Sequence, residues 1–540
     1  MRLPMARAAA PFTRAGATAS MLMVLALVAG CGGGGSSDSG RSPFPPELGS
    51  GGSAGGGSGQ AALPARSTLA QQCSASNLEA KPGSKTGSLS TEKAWIRSYF
   101  DEMYLWREQV PQLNAGDSLY GGSVVRTALE NYFYDLRTPQ TTATGAPRDR
   151  FSFMMPEREW VALSESGVSL NYGAEWALTA KKAPRALRVA MVEPGSPAAQ
   201  AGLVRGDRVL QVGGLSVDTG DANVWSQISD MLYPDGQARA VDFTVQSSGG
   251  ATRTVRMTAQ SQALTPVPTQ GVLTAQDGAP VGYLLFNDHN LPAEGQLIST
   301  MQGFARQGVR DLVLDLRYNG GGYVFIASQL ATMIAGSATT GNQVFDELRY
   351  NSRQSAKNER TPFYNTSCYY SGGRCTREET LPQLNLRRVY VLTQSGTCSA
   401  SEAIINGLRG IGVQVVQIGG TTCGKPYGFS GDENCGYRYM AIEFQGVNAK
   451  GFGDYAEGFT PAAADNGREV LGCAVADDFD HALGDPAEGQ LAAALHHRAT
   501  GNCPPNASKP SAWQGATGDV GVRFELKRPW WREQRWQGRP

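Results

Sequence analysis

SGTCSASEAIINGLRG, residues 395–410, decides the fold. It follows the apolar run 389–392 and leads into a stretch whose apolar residues recur at helical spacing, so a strand hands over to a helix near Ser399. A second apolar run, 413–418, follows and delivers GGTTCGKPYGF at 419–429. Strand, helix, strand is the unit of a parallel sheet, and it brings the two intervening loops to the same end of that sheet. Lys425 is therefore expected to meet Ser399 in space.

A serine at a helix start sits among free backbone amides and the positive end of the helix dipole, which suits an activated hydroxyl and the oxyanion it creates. Ser399 and Glu402 also have the SxxE spacing of a capping box, which is a purely structural use of the same residues. A lysine in a desolvated loop loses its preference for the charged form and becomes a usable base, whereas an exposed lysine does not. Upstream, VLDLRYNGGGY at 313–323 ends a buried strand in three glycines, a run that lets backbone amides approach a reacting carbonyl. Around these loops, apolar strands alternate with helical stretches: 281–286, a helix at 297–307, 312–316, a helix at 325–334, then 389–392. That alternation argues an α/β domain over 270–505.

Before this domain, over 161–262, comes GVSLNYG at 167–173, a strand at 187–192, and EPGSPAAQAGLVRGDRVLQVGG at 193–214. Ser196 caps a short helix with Pro197 at its first position, Gly202 ends it, Gly206 and Asp207 turn the chain, and 208–212 alternates as a strand. The stretch resembles the PDZ domains of bacterial proteases. That resemblance implies that Gly167, Val168, Ser169, Leu170 and Asn171 form the loop that receives a peptide carboxylate, although Ser169 interrupts the apolar pattern usual there.

DLRYNGGG, SASE and TxGK, in that order and behind a PDZ-like module, resemble the carboxyl-terminal processing, or tail-specific, proteases over 90–503. The resemblance implies a crotonase/Clp-protease-like catalytic domain in an α/β (α+β multidomain) chain, and a serine endopeptidase acting on unstructured or C-terminally tagged proteins. By position it makes Ser399 the nucleophile and Lys425 the base, with the amides of Ala400 and of Gly320 or Gly321 as the oxyanion hole. One departure stands out. Better known members carry Gln four residues after the lysine, where this chain has Phe429; Glu402, Glu443 and Gln445 are left as candidates to orient the amine. Cys398 and Cys423 flank the two loops and are placed to staple them by a disulfide. A catalytically silent peptide-binding lipoprotein on the same scaffold is the competing reading. A Ser/His/Asp hydrolase is disfavoured, because no GxSxG surrounds Ser399 and only His289, His481, His496 and His497 are available.

At the N-terminus, Arg2, Arg7 and Arg14 precede the apolar run 21–29, which ends in LVAGC at 27–31. This order is that of a signal peptide, 1–30, and the run is shorter than the roughly 20 residues that span a bilayer. LVAGC resembles the bacterial lipobox, which implies a lipidated Cys31, and the absence of Asp after it implies the periplasmic face of the outer membrane. A Gly/Ser-rich tether, 31–70, follows. Aromatic residues at three and four residue steps mark a helical N-terminal unit, 71–160, with Ser90 or Thr91 as cap of its first helix and a second helix at 123–134. The tail, 506–540, carries Trp530, Trp531 and Trp536 among basic residues and is expected to pack back on the domain or to lack fixed structure.

Nine cysteines become eight once Cys31 is lipidated, an even number that fits an oxidising compartment, with Cys368 and Cys375 the expected local pair. No CxxC pair occurs, so neither a metal site nor a cofactor is expected. Lys plus Arg and Asp plus Glu both total 48, which gives no electrostatic reason to expect nucleic acid as a partner. The expected partners are protein or peptide substrates and, through the lipid, a membrane.

Overall fold

The computed structural model describes residues 63–234, 238–371, 374–505, 507 and 534–536. The signal segment, Cys31 and most of the expected tether lie outside them, as does the side chain of Cys375. The last tether residues are already built in, since Arg66–Leu69 is a helical turn and Arg66 Nε lies 2.9 Å from Glu102 Oε2.

The first long helix, Leu89–Met103, is capped by Ser88, not by Ser90 or Thr91, because its Oγ accepts from Thr91 N–H at 3.2 Å. The second runs Val125–Asp135. Their aromatic faces do not close a core of their own. Trp95 and Phe133 pack on Tyr439, with ring centroids 5.0 and 5.9 Å apart, and strand Phe153–Pro156 pairs antiparallel with Tyr437–Met440. A disulfide between Cys73 and Cys435 closes the same contact. The helical unit is thus built onto the α/β domain, and the core they share also holds Cys398, Tyr427 and Phe429.

The PDZ-like unit is a sheet in the order Thr252–Thr258, Ala240–Gln246, Arg208–Val212, Ala186–Val192, Ala174–Ala180. Ser196 caps helix Pro197–Gln200 as expected, and helix Ala222–Leu232 buries Trp225, Ile228 and Leu232 in the unit's core.

The central sheet has the order Thr269–Thr274, Pro280–Leu285, Asp311–Asp315, Arg388–Thr393, Gln414–Gly419, Glu469–Ala474, Thr460–Ala462. Only the first pairing is antiparallel. Helices Leu291–Arg306, Val324–Ala335 and Ala400–Gly410 pack in the core on one face, and Gly489–Thr500 in the core on the other. Val324–Ala335 is buried along its whole length, and its polar side chains Ser328 and Gln329 are hydrogen-bonded, to Pro362 O and to Glu294 Oε1 and Thr366 O. The strands Asp311–Asp315, Arg388–Thr393 and Gln414–Gly419 run parallel, so the three loops after them open at one end of the sheet.

Candidate active site

Ser399 stands between strand Arg388–Thr393 and helix Ala400–Gly410 with φ +61° and ψ −111°. Such a backbone costs a residue with a Cβ about 1–3 kcal/mol and persists only where its neighbours enforce it. Here they do. Cys398 N–H donates to Asn319 O at 3.0 Å, Ser401 Oγ donates to the same oxygen at 3.1 Å, and Ser399 N–H donates to Glu402 Oε2 at 2.8 Å. A sharp strand-to-helix turn of this kind is how α/β-hydrolase folds present a nucleophilic hydroxyl. Ser399 Oγ is buried and has no hydrogen-bond partner among the described residues. Ser399 and Glu402 form a capping box in which the glutamate carboxylate takes the serine's amide.

Glu402 joins the two loops. Its Oε2 accepts from both Ser399 N–H and Lys425 N–H at 2.8 Å, and its Oε1 accepts from Thr422 Oγ1 at 2.5 Å and Gly424 N–H at 2.9 Å. Burial pushes the carboxyl up, and the bonds from Thr422, Lys425, Ser399 and Gly424 pull it back. One oxygen shared by two backbone amides means that the serine and lysine backbones are no farther apart than two hydrogen bonds laid end to end. The disulfide Cys398–Cys423 adds a covalent tie, with Cα atoms 5.1 Å apart. Gly424, at φ +84°, has no room for a Cβ, which would fall 2.2 Å from Ala456 O.

The side chain of Lys425 is buried among aromatic rings. Its Nζ lies 4.5 Å from the centre of Phe429 and 5.1 Å from that of Phe151. Phe429 thus puts a ring face where the better known relatives have an amide. Phe151 comes from the end of the N-terminal unit, and nothing in the sequence near the lysine announces it. Of the three candidate orienting groups, Glu402 reaches the lysine's backbone. Glu443 takes Tyr99 OH at 3.0 Å and the amides of Ser430 and Gly431, and Gln445 donates to Gly453 O at 2.9 Å.

The glycine loop is held by Asn319 and His289. Asn319 Oδ1 accepts from Gly321 N–H at 2.9 Å and lies 3.0 Å from His289 Nδ1, and Tyr323 N–H donates to His289 O at 2.9 Å. The Gly321 amide is thus already engaged, which narrows the two glycine candidates for an oxyanion donor to Gly320. Gly322, at φ +135°, passes so close to His289 that a Cβ would fall 2.7 Å from its carbonyl oxygen. Burial drives the His289 imidazole down to about 3, so it is neutral. Its contacts are to the glycine loop, in keeping with a structural histidine. Asn319, unremarked in the sequence beyond its place in DLRYNGGG, is the residue that binds this loop to the serine turn.

Behind the loop, fully buried Arg317 bonds Asp315 at 2.7 Å, Glu488 at 2.7 Å and Asp477 at 2.9 Å. Arg205 of the PDZ-like unit joins this network, to Asp477 at 2.6 Å and Tyr318 OH at 2.7 Å. The module is therefore wired to the residue two before Gly320. A cavity between the two units is lined by Glu175, Met191, Asp288, Gly320 and Gly321, and desolvation pushes Asp288 up to about 7.

The expected carboxylate loop is corrected. Gly167 ends helix Glu157–Ser166 with φ +66°, and Val168–Asn171 is a strand paired residue for residue with Gln260–Ala263. Val168, Ser169, Leu170 and Asn171 tie the two ends of the module together, so they do not form an open loop. The sheet edge lies further on, at Ala174–Ala180, which among the described residues pairs only with Ala186–Val192. Of the expected disulfides, Cys398–Cys423 is formed; Cys368 is disulfide-bonded, but the side chain of Cys375 lies outside the described residues.

Fold and site define a multidomain α/β chain in which a PDZ-like unit abuts the glycine loop beside a strained serine. Residues 280–430 match peptidase family S41, 188–239 match the PDZ domain, and 91–153 match the peptidase S41 N-terminal domain. The chain thus carries a peptidase family S41 segment, which contains Ser399 and Lys425, together with a PDZ domain. It is 32% identical over 148 residues to a carboxyl-terminal-processing protease of a Picosynechococcus species, covering 27% of this chain and 34% of that one. Against carboxyl-terminal-processing peptidase 2, chloroplastic, of Arabidopsis thaliana it is 28% identical over 163 residues, 29% and 30% of the respective chains. The matches span about a third of these relatives' own length. A putative S41 protease from Bacteroides fragilis shares the fold, with a TM-score of 0.55 at 23% identity over 76% of this chain and 97% of that one.

Proposed function

We propose that the chain is a serine endopeptidase of the carboxyl-terminal processing type, with Ser399 as nucleophile and Lys425 as general base. The observation that carries this reading is the single Glu402 oxygen bonded to the backbone amides of both residues. The lysine amine, shielded from water, takes the Ser399 proton as Oγ attacks the scissile carbonyl. The oxyanion is received by Gly320 N–H and by Ala400 N–H, which as the first amide of its helix has no intrahelical acceptor. The ammonium then protonates the departing amine, and water, deprotonated by the same lysine, hydrolyses the acyl-enzyme. No cofactor takes part. Incubation with casein should yield peptides that are absent with Ser399→Ala. If the folded wild-type chain releases none, the silent peptide-binding reading, which Phe429 favours, takes its place.

The substrates are unstructured or C-terminally tagged proteins, received as an added strand on the edge Ala174–Ala180. A substrate with a free C-terminus should show a kcat/KM about tenfold above its amidated twin. Equal values would mean that the carboxylate is not read.

The protein is exported and held at the periplasmic face of the outer membrane by lipid on Cys31. The disulfides Cys73–Cys435, Cys398–Cys423 and Cys473–Cys503 support an oxidising compartment. Cys31→Ser should move the protein from the membrane to the soluble fraction, and native protein should have an intact mass that starts at a lipidated Cys31. Any other start defeats the anchor.

A further inference from the structure

The strand Gly321–Tyr323 is only three residues long and continues the glycine loop beside Ser399. On one side it meets His289. On the other it pairs in parallel with Gln534–Trp536, from the chain's own C-terminus, in the register Gln534 to Gly321, Arg535 to Gly322 and Trp536 to Tyr323. The same tail strand lies against Tyr427–Gly428, which starts two residues after Lys425, and against helix Ala400–Gly410, which starts one residue after Ser399. One extended segment thus pairs with the glycine strand and runs near the other two walls of the site. A protease receives its substrate as an extended strand whose main-chain bonds are sequence-tolerant, so an edge that accepts one such strand accepts others.

We propose that the edge Gly321–Tyr323 is the strand-accepting subsite for substrate, and that residues 534–536 occupy it as a tethered competitor that must leave before another chain enters. This rests on the peptidase reading for the word substrate, but the docking itself does not. Because the segment belongs to the same chain, its pairing is intramolecular and does not depend on protein concentration.

The test uses the full chain with Gln534→Pro/Arg535→Pro, since proline lacks the N–H a ladder needs. A fluorescent peptide of residues 530–540 is titrated by anisotropy into Ser399→Ala protein with and without the double proline change. We expect at least tenfold tighter binding when the resident tail is disabled. In the active background, the same change should lower KM for a casein-derived peptide by a similar factor with kcat unaltered. Equal peptide binding in the two proteins overturns the proposal even if both cleave casein. A binding difference without any cleavage keeps the tail in its groove and removes the peptidase reading instead.

Discussion

Ser399→Ala and Lys425→Ala are each expected to lower kcat/KM on an unstructured protein by at least about 10³-fold, and the double variant to be scarcely worse than either. Both side chains act in one proton transfer, so removing either end removes the whole step. The fold should survive. The strain at Ser399 resides in the backbone, which an alanine inherits, and the bonds that hold it there come from Cys398, Ser401 and Glu402. For the lysine, the change removes the ammonium that faces the Phe151 and Phe429 rings and leaves a cavity of a few methylene groups. The measurement is initial cleavage rate, with far-ultraviolet circular dichroism and melting as controls for folding. Turnover within tenfold of wild type in either well-folded single variant would end the Ser/Lys assignment.

How much of this was legible in the sequence depended on whether the cause was local. The buried parallel strands announce themselves as apolar runs, so the expected run 389–392 is Arg388–Thr393 and 413–418 is Gln414–Gly419. Helix Leu291–Arg306 starts six residues before the expected 297, because its first turn carries Pro292, whose fixed backbone suits a helix start, and not apolar periodicity. The capping error at Ser88 is of the same kind: three hydroxyl residues compete within four positions, and only the helix axis decides among them. Long-range pairings had no local signal at all. Cys73–Cys435 spans 362 residues, and Phe151 reaches Lys425 from another unit. The strand at Val168–Asn171 has a related cause: its partner is Gln260–Ala263, some ninety residues away, and no local signal marks that pairing.

Glu402 is where the two uses of SxxE, cap and chemistry, converge, and its removal should have the second-largest effect. Glu402→Ala strands four buried donors: the amides of Ser399, Gly424 and Lys425 and the hydroxyl of Thr422. Each unmet buried donor costs about 1–3 kcal/mol, and even with water entering the gap a loss of at least about 3 kcal/mol is expected. Glu402→Gln is the sharper probe, because it keeps the volume but turns an N–H₂ toward two donors wherever its oxygen is placed. Both variants should lower kcat by about 10²-fold while moving KM little, since the carboxylate positions the serine and lysine without touching the substrate. The disulfide Cys398–Cys423 sharpens the interpretation, because it keeps the loops joined when the carboxylate is gone. A fall in kcat with the disulfide intact therefore reports lost alignment, not separation of the loops. If Glu402→Ala melts with the wild type and keeps its kcat, then the covalent tie alone sets the geometry, and the shared oxygen is only a cap.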